Sequence, residues 1–169
     1  LHQFFRKLAP VGIPDIRIIV FNQIPIMAML RLPTVESGGK ANLHQGALGV
    51  GIDIRTGITT SAMYKGKKVQ YIPGTKTKLR GIKIPQWEEL LLLAARTQKV
   101  IGLGYAGVDI VFDAKKGPII LEINSRPGLA IQIANNTSLR TRLERVENMP
   151  VSTPERGFEI AKSLFTEPF

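Results

Sequence analysis

Two runs rich in Ile, Val and Met, Asp15 to Phe21 and Ile24 to Leu32, flank Asn22-Gln23. They predict two antiparallel strands joined by a short turn. Pro33 to Lys40 contains Ser37-Gly38-Gly39 and reads as a flexible loop. Ala47 to Ile54, Ile58 to Tyr64 and Lys68 to Ile72 predict three further strands, parted by turns at Arg55-Thr56-Gly57 and Lys65-Gly66-Lys67. Pro85 then opens a helix running to about Val100, with Glu88 and Glu89 in the first turn where the helix dipole favours them. Trp87, Leu91, Ala94 and Gln98 follow helical spacing, and Trp87 is read as a core anchor. Tyr105 to Asp113 and Pro118 to Asn124 predict a second strand pair around Ala114 to Gly117. Helices follow over Leu129 to Asn135, over Ser138 to Val146, and from Pro154 with Thr153 as N-cap. Strands first and helices after them predict an α+β fold, an antiparallel sheet with helices packed on one side.

At 169 residues and 44% hydrophobic, the chain is long and apolar enough for one domain with a real core. It has no Cys, which excludes disulfides, zinc–thiolate sites, iron–sulfur clusters and cysteine nucleophiles. Two histidines, His2 and His44, leave little for a histidine metal site or a triad. The most apolar stretch, Arg17 to Leu32, is broken by Asn22, Gln23 and Pro25, short of the roughly 20 apolar residues a membrane span needs. The expectation is a soluble, cytoplasmic protein without a signal peptide. The chain starts at Leu1 instead of Met, and it is expected to be part of a longer one.

The formal net charge of +10 favours an anionic partner. Seven of the 23 basic residues lie between Lys65 and Lys83, with Tyr64 and Tyr71 within or beside the stretch. No helix-turn-helix, zinc-finger or RNA-recognition signature accompanies them. A solvated hairpin and loop is the preferred reading of this segment over a nucleic-acid groove.

The strongest chemistry lies in Gly107-Val108-Asp109 and in Glu122-Ile123-Asn124. A four-residue loop between Asp113 and Pro118 sets Asp109 opposite Glu122, and Asn124 then shares their face. Opposed Cβ atoms lie about 5 Å apart, close enough to share one ion. Two such carboxylates in apolar surroundings repel unless a cation stands between them. Oxygen donors suit a hard cation, with Mg²⁺ completed by phosphate and water. The plainer alternative is a pair of acids on a solvated sheet face.

With these residues in view, Asp15-Ile16-Arg17, Arg31, Lys40 to Gly46, Gly107-Val108-Asp109 and Glu122 to Gly128 resemble, in that order, the ATP-grasp carboxylate–amine ligases. The closest resemblance is to the α-L-glutamate ligase-like group related to ribosomal-protein glutamate ligases, and it runs from Val11 to about Ala134. The resemblance implies that Asp109, Glu122 and Asn124 bind Mg²⁺ (or Mn²⁺). It implies that Asp15, Arg17, Arg31, Lys40, Ala41 and Asn42 contact ATP, and that Arg31 and Arg126 serve catalysis. Asp15 would lie near the ribose, Arg17 and Arg31 near the phosphates, and Arg126 at the carboxylate or acyl-phosphate. The plainer readings are a strand-start cap for Asp15, a sheet-face cation for Arg17, a loop residue for Lys40 and a structural role for His44. Residues 1–169 would be the C-terminal part of an ATP-grasp domain, lacking the N-terminal lid and a preceding substrate domain, and inactive alone.

The implied activity is ATP-dependent joining of a carboxylate and an amine through an acyl-phosphate. The substrates would be an amino acid, a peptide or a protein end, with no membrane or nucleic acid involved and homo-oligomerisation left open. Two alternatives stand beside it, a basic nucleic-acid-binding module and a catalytically silent nucleotide-binding domain.

Overall fold

The computed structural model describes residues 2–9 and 11–165. Among these residues seven strands form one antiparallel sheet: β1 (Asp15–Phe21), β2 (Ile24–Leu32), β3 (Leu48–Ile52), β4 (Thr59–Tyr64), β5 (Lys67–Lys68), β6 (Tyr105–Asp113) and β7 (Gly117–Asn124). Their order across the sheet is β5-β4-β3-β2-β1-β6-β7. The two strand pairs read from the sequence are thus brought edge to edge, with β6 adding onto β1. All nine residues of β2 are buried, which explains why its sequence is a nearly continuous apolar run and not an alternation.

Among the described residues five helices accompany the sheet: α1 (Gln3–Leu8), α2 (Trp87–Ile101), α3 (Ala130–Asn135), α4 (Leu139–Glu144) and α5 (Pro154–Leu164). α2 packs over β1, β2 and β6 and against α5, covering Ile16, Ile18, Val108 and Ile110, which are fully buried. Trp87 anchors its start, its Nε1 donating to the Ile54 carbonyl at 2.7 Å. The helix begins at Trp87 and not at Pro85 because Gln86 takes a left-handed conformation, φ 51°. Thr153 caps α5 as expected, its Oγ1 accepting from the Arg156 N–H. The short α3 lies on the sheet's other face, beside Gly51, where an added Cβ would come within 2.6 Å of the Ala134 carbonyl oxygen. None of the described helices is long and apolar enough to cross a membrane.

Three sequence expectations need adjustment. The strand expected over Lys68 to Ile72 shrinks to Lys67–Lys68, after which Tyr71 makes only an isolated bridge to Lys78. α1 was not expected: it is held by Phe5, whose ring stacks on Phe112 at 4.6 Å, a contact between residues far apart in sequence. The β6–β7 loop is one residue shorter than assumed, since Asp113 pairs with Gly117, which sits at φ 75°.

Candidate active site

β1, β2 and β6 are adjacent, so alternation places Asp15 and Arg17, Met29 and Arg31, and Gly107 and Asp109 on one face. Asp15 pairs across with Arg31, and Arg17 with Asp109. The side chains complete the pattern. Arg31 Nε and Nη2 donate to the two oxygens of Asp15 at 2.5 and 2.7 Å. The same Nη2 donates to Asp109 Oδ2 at 2.7 Å. Arg17 holds Asp109 by a second fork, 2.7 Å to each oxygen. Asn124 Nδ2 adds a longer bond to Asp109 Oδ2, 3.3 Å.

Glu122 joins this face through a β-bulge. From the turn, the ladder pairs Ile110 with Ile120, which would continue to Asp109 opposite Leu121. Instead the register shifts by one residue, and Asp109 faces Glu122. Without that extra residue Glu122 would point to the opposite face. The expected Asp109–Glu122 pairing is present, but a three-residue loop and a bulge produce it, not a four-residue loop. Among the described residues the Glu122 carboxylate has no hydrogen-bond or ion-pair partner.

Glycines on this face are the floor for what covers it. Leu43 sits over Gly49, where a Cβ would stand 2.7 Å from Leu43 Cδ2. This seats the 3-10 turn Leu43–Gln45 above the sheet, with Asn42 capping it through Oδ1 to the His44 N–H. Pro127 sits over Gly107 in the same way, 2.6 Å from an added Cβ, and folds the segment after β7 back over β6.

These elements enclose a cleft of about 390 Å³. Asp15, Arg17, Arg31, Ala41, Asn42, Asp109 and Glu122 all line it. Asn124 is tied in through Asp109. Lys40 and Arg126 are exposed and are not among the lining residues. Sequence reasoning did not assign Met29, Leu43 or Leu121, which also line the cleft, nor His44 as part of its wall. Met29 shows itself in hindsight by standing two residues before Arg31 on the same strand face.

Burial dominates the electrostatics. It pushes the Asp15 carboxyl up to about 6, against the hydrogen bond and charge of Arg31, with the nearby Asp109 adding to the rise. For Arg31, burial disfavours the charge, but the hydrogen bonds and negative charges of Asp15 and Asp109 outweigh it and raise its pKa. Two acids and two arginines thus compensate each other in a low-dielectric place. The cations closest to Asp109 are guanidinium groups, so carboxylate repulsion alone does not demand a metal here.

The donor set nevertheless fits a hard divalent cation. Asp109 and Glu122 line the cleft with carboxylate oxygens, Glu122 has no partner among the described residues, and Asn124, two residues beyond Glu122 on the same strand and in contact with Asp109 through Nδ2, carries a further oxygen donor. No three His, Cys, Asp or Glu side chains cluster for a metal among the described residues. A cation here would therefore complete its shell with ligand oxygens and water, as Mg²⁺ does.

A family model described as sugar-transfer associated ATP-grasp matches residues 1–148. A probable alpha-L-glutamate ligase from Legionella pneumophila (strain Corby) is 32% identical over 146 residues, 84% of this chain and 37% of that protein. One from Stenotrophomonas maltophilia (strain R551-3) is 44% identical over 59 residues, 34% of this chain and 20% of that protein. This chain therefore spans well under half the length of these relatives. Among solved structures, the ATP-grasp ligase PsnB complexed with a phosphomimetic variant of minimal precursor, Mg and ADP superposes with a TM-score of 0.42 at 16% identity. The match covers 76% of this chain and 29% of that one.

Proposed function

The chain belongs to the sugar-transfer-associated ATP-grasp family, and we propose that it is the C-terminal part of an ATP-grasp domain whose full-length protein joins a carboxylate to an amine at the expense of ATP. The observation that carries this reading is the convergence of Asp15, Arg17, Arg31, Asp109 and Glu122 on one cleft from four strands. Arginines with planar, permanently charged forks suit phosphate oxygens. Those forks are held by carboxylates at 2.5–2.7 Å, which fixes their direction.

In this reading Arg17 and Arg31 bind and orient the ATP phosphates, and Arg31 stabilises charge as the γ-phosphoryl group moves to the substrate carboxylate. The product of that step is an acyl-phosphate with release of ADP. Attack by the amine on the acyl carbon then forms the amide and expels phosphate. Asp15 holds Arg31 in place, and Asn42, with Ala41, walls the nucleotide side of the cleft. In the same reading Lys40, next to the cleft-lining Ala41, would serve the nucleotide, and Arg126, two residues before the cleft-lining Gly128, the substrate carboxylate. Asp109, Glu122 and Asn124 would hold Mg²⁺ or Mn²⁺, which when bound neutralises phosphate charge.

The names of the curated relatives favour glutamate as one substrate, with an amino acid, peptide or protein end as the other. The test is ADP release by the full-length protein against panels of acids and amines. Release that needs both an acid and an amine is expected. Release indifferent to added amine would overturn the ligase reading and leave an ATP-binding domain of another kind.

A further inference from the structure

Ile54 to Trp87 carry eight of the 23 Lys and Arg residues and not one Asp or Glu. The remaining fifteen basic residues meet 13 acidic ones, so most of the net charge of +10 belongs to this one segment. Lys65 is spoken for by Glu36 at 2.6 Å, and Lys83 donates to the Thr56 carbonyl. Among the described residues, Lys68, Lys78 and Arg80 have no anionic partner.

The segment is held on a fixed frame. The Val69 N–H donates to the Ala62 carbonyl at 3.0 Å, that of Leu79 to Gln70 at 2.9 Å, and that of Ile72 to Thr77 at 3.0 Å. Thr59 Oγ1 donates to the Leu79 carbonyl at 2.6 Å and accepts from the Ile82 N–H at 2.8 Å. Leu79 is only 1% exposed. With Leu79 turned into the core, its neighbours Lys78 and Arg80 project the other way. Together with Lys68 they line a cavity of about 500 Å³, whose wall includes Ser61, Gln70 and Tyr71 and, among the described residues, no carboxylate.

We propose that this cavity is a second anion site that takes a small phosphorylated molecule, separate from the nucleotide cleft. Three like charges facing one hollow repel one another until a multiply charged anion enters. The Arg80 fork and the Lys point charges suit phosphate oxygens. The hydroxyl of Ser61, the amide of Gln70 and the ring of Tyr71 suit a polar, hydroxylated body. The volume falls within the roughly 300–1,000 Å³ of small-molecule sites. Cations gathered around a hollow, instead of strung along a groove, favour a small ligand over a nucleic-acid strand. The two clefts share no lining residue. They are bridged by α3, since Ser61 Oγ donates to the Ala134 carbonyl at 2.5 Å while Ala130 lines the first cleft.

The proposal does not depend on the ligase reading, and calorimetry on the 169-residue chain with inorganic pyrophosphate tests it. Lys78→Gln with Arg80→Gln is expected to weaken binding at least tenfold, while Lys115→Gln with Lys116→Gln, two exposed cations of the β6–β7 turn that line neither cleft, changes it less than threefold. Lys68→Gln alone, an exposed position away from the Leu79 anchor, is expected to weaken it severalfold and serves if the double variant misfolds. Binding that ignores the substitutions at Lys68, Lys78 and Arg80 would place the anion elsewhere and overturn the proposal. So would no pyrophosphate binding. An oligouridylate or an acidic peptide that binds through Lys78 and Arg80 tenfold more tightly than pyrophosphate would also overturn it, as a polymer site.

Discussion

Arg31 on β2 reaches past β1 to Asp109 on β6: Nη2 stands 2.7 Å from Asp109 Oδ2 although the two strands are not neighbours. The same guanidinium also holds both oxygens of Asp15. One side chain therefore links three strands and sets the directions of two buried acids. A charge cluster of this kind contributes little net stability when complete, because desolvation offsets the attraction, and costs heavily when one member is removed.

Arg31→Met is therefore expected to lower stability by about 3–5 kcal/mol in urea denaturation, since Asp15 is left buried without its fork and Asp109 keeps Arg17 and the longer bond from Asn124 but loses one of its two guanidinium partners. Arg31→Lys keeps the charge but not the fork, and should fall between the two. A methionine variant as stable as the parent chain would show that the cluster can dissolve into solvent.

Asp15 gives the cluster a pH signature. Its folded pKa of about 6 lies above the ordinary 3.8, so the folded state binds the extra proton between these values. Its contribution to stability is thus fully present below about pH 4 and is lost as pH rises through 6. Two pKa units correspond to about 3 kcal/mol. The melting-temperature difference between the parent chain and Asp15→Asn should move against the parent from pH 4 to 6 and then level off. The opposite slope would mean that Arg31, not burial, controls Asp15.

Glu122→Gln keeps the size of the side chain and removes its charge. The residue is exposed and has no partner among the described residues, so thermal unfolding should barely change. ADP release by the full-length protein should drop by about 10²–10³, the cost typical of losing one electrostatic group at a reacting centre. Full activity in this variant would remove Glu122 from the mechanism.

Gly157→Ala tests the packing of α5 on the sheet. An added Cβ would stand 2.0 Å from the Gln23 carbonyl oxygen and 2.7 Å from its carbon, both backbone atoms that cannot swing aside. The helix must shift, at a cost of about 1–3 kcal/mol or more, seen as a lower urea midpoint. An unchanged midpoint would mean that α5 slides freely on β2.

Much of this architecture was legible because its causes are local. The runs Asp15 to Phe21 and Ile24 to Leu32 are apolar, lack helix spacing and are cut by Asn22-Gln23, whose φ values of 46° and 68° make the turn. Tyr71 shows where local reasoning stops. Its neighbours are rich enough in β-formers for a strand, yet only one bridge to Lys78 forms, because the chain turns back on itself at Pro73-Gly74.

The sequence by itself determined which residues carry chemistry and on which strands they ride, since side-chain type and two-residue alternation are properties of the chain alone. Only the tertiary structure decided what those residues touch. Asp109 and Glu122 face each other because a bulge at Leu121 offsets a loop one residue shorter than the pattern suggested, and ladder register depends on turn geometry and face burial together. Asp15, Arg17, Arg31 and Asp109 compensate one another because β6 adds onto β1, a pairing between segments some ninety residues apart that no local pattern encodes. Burial by the sheet then lifts the Asp15 pKa to about 6, because desolvation belongs to the assembled fold and to no residue alone.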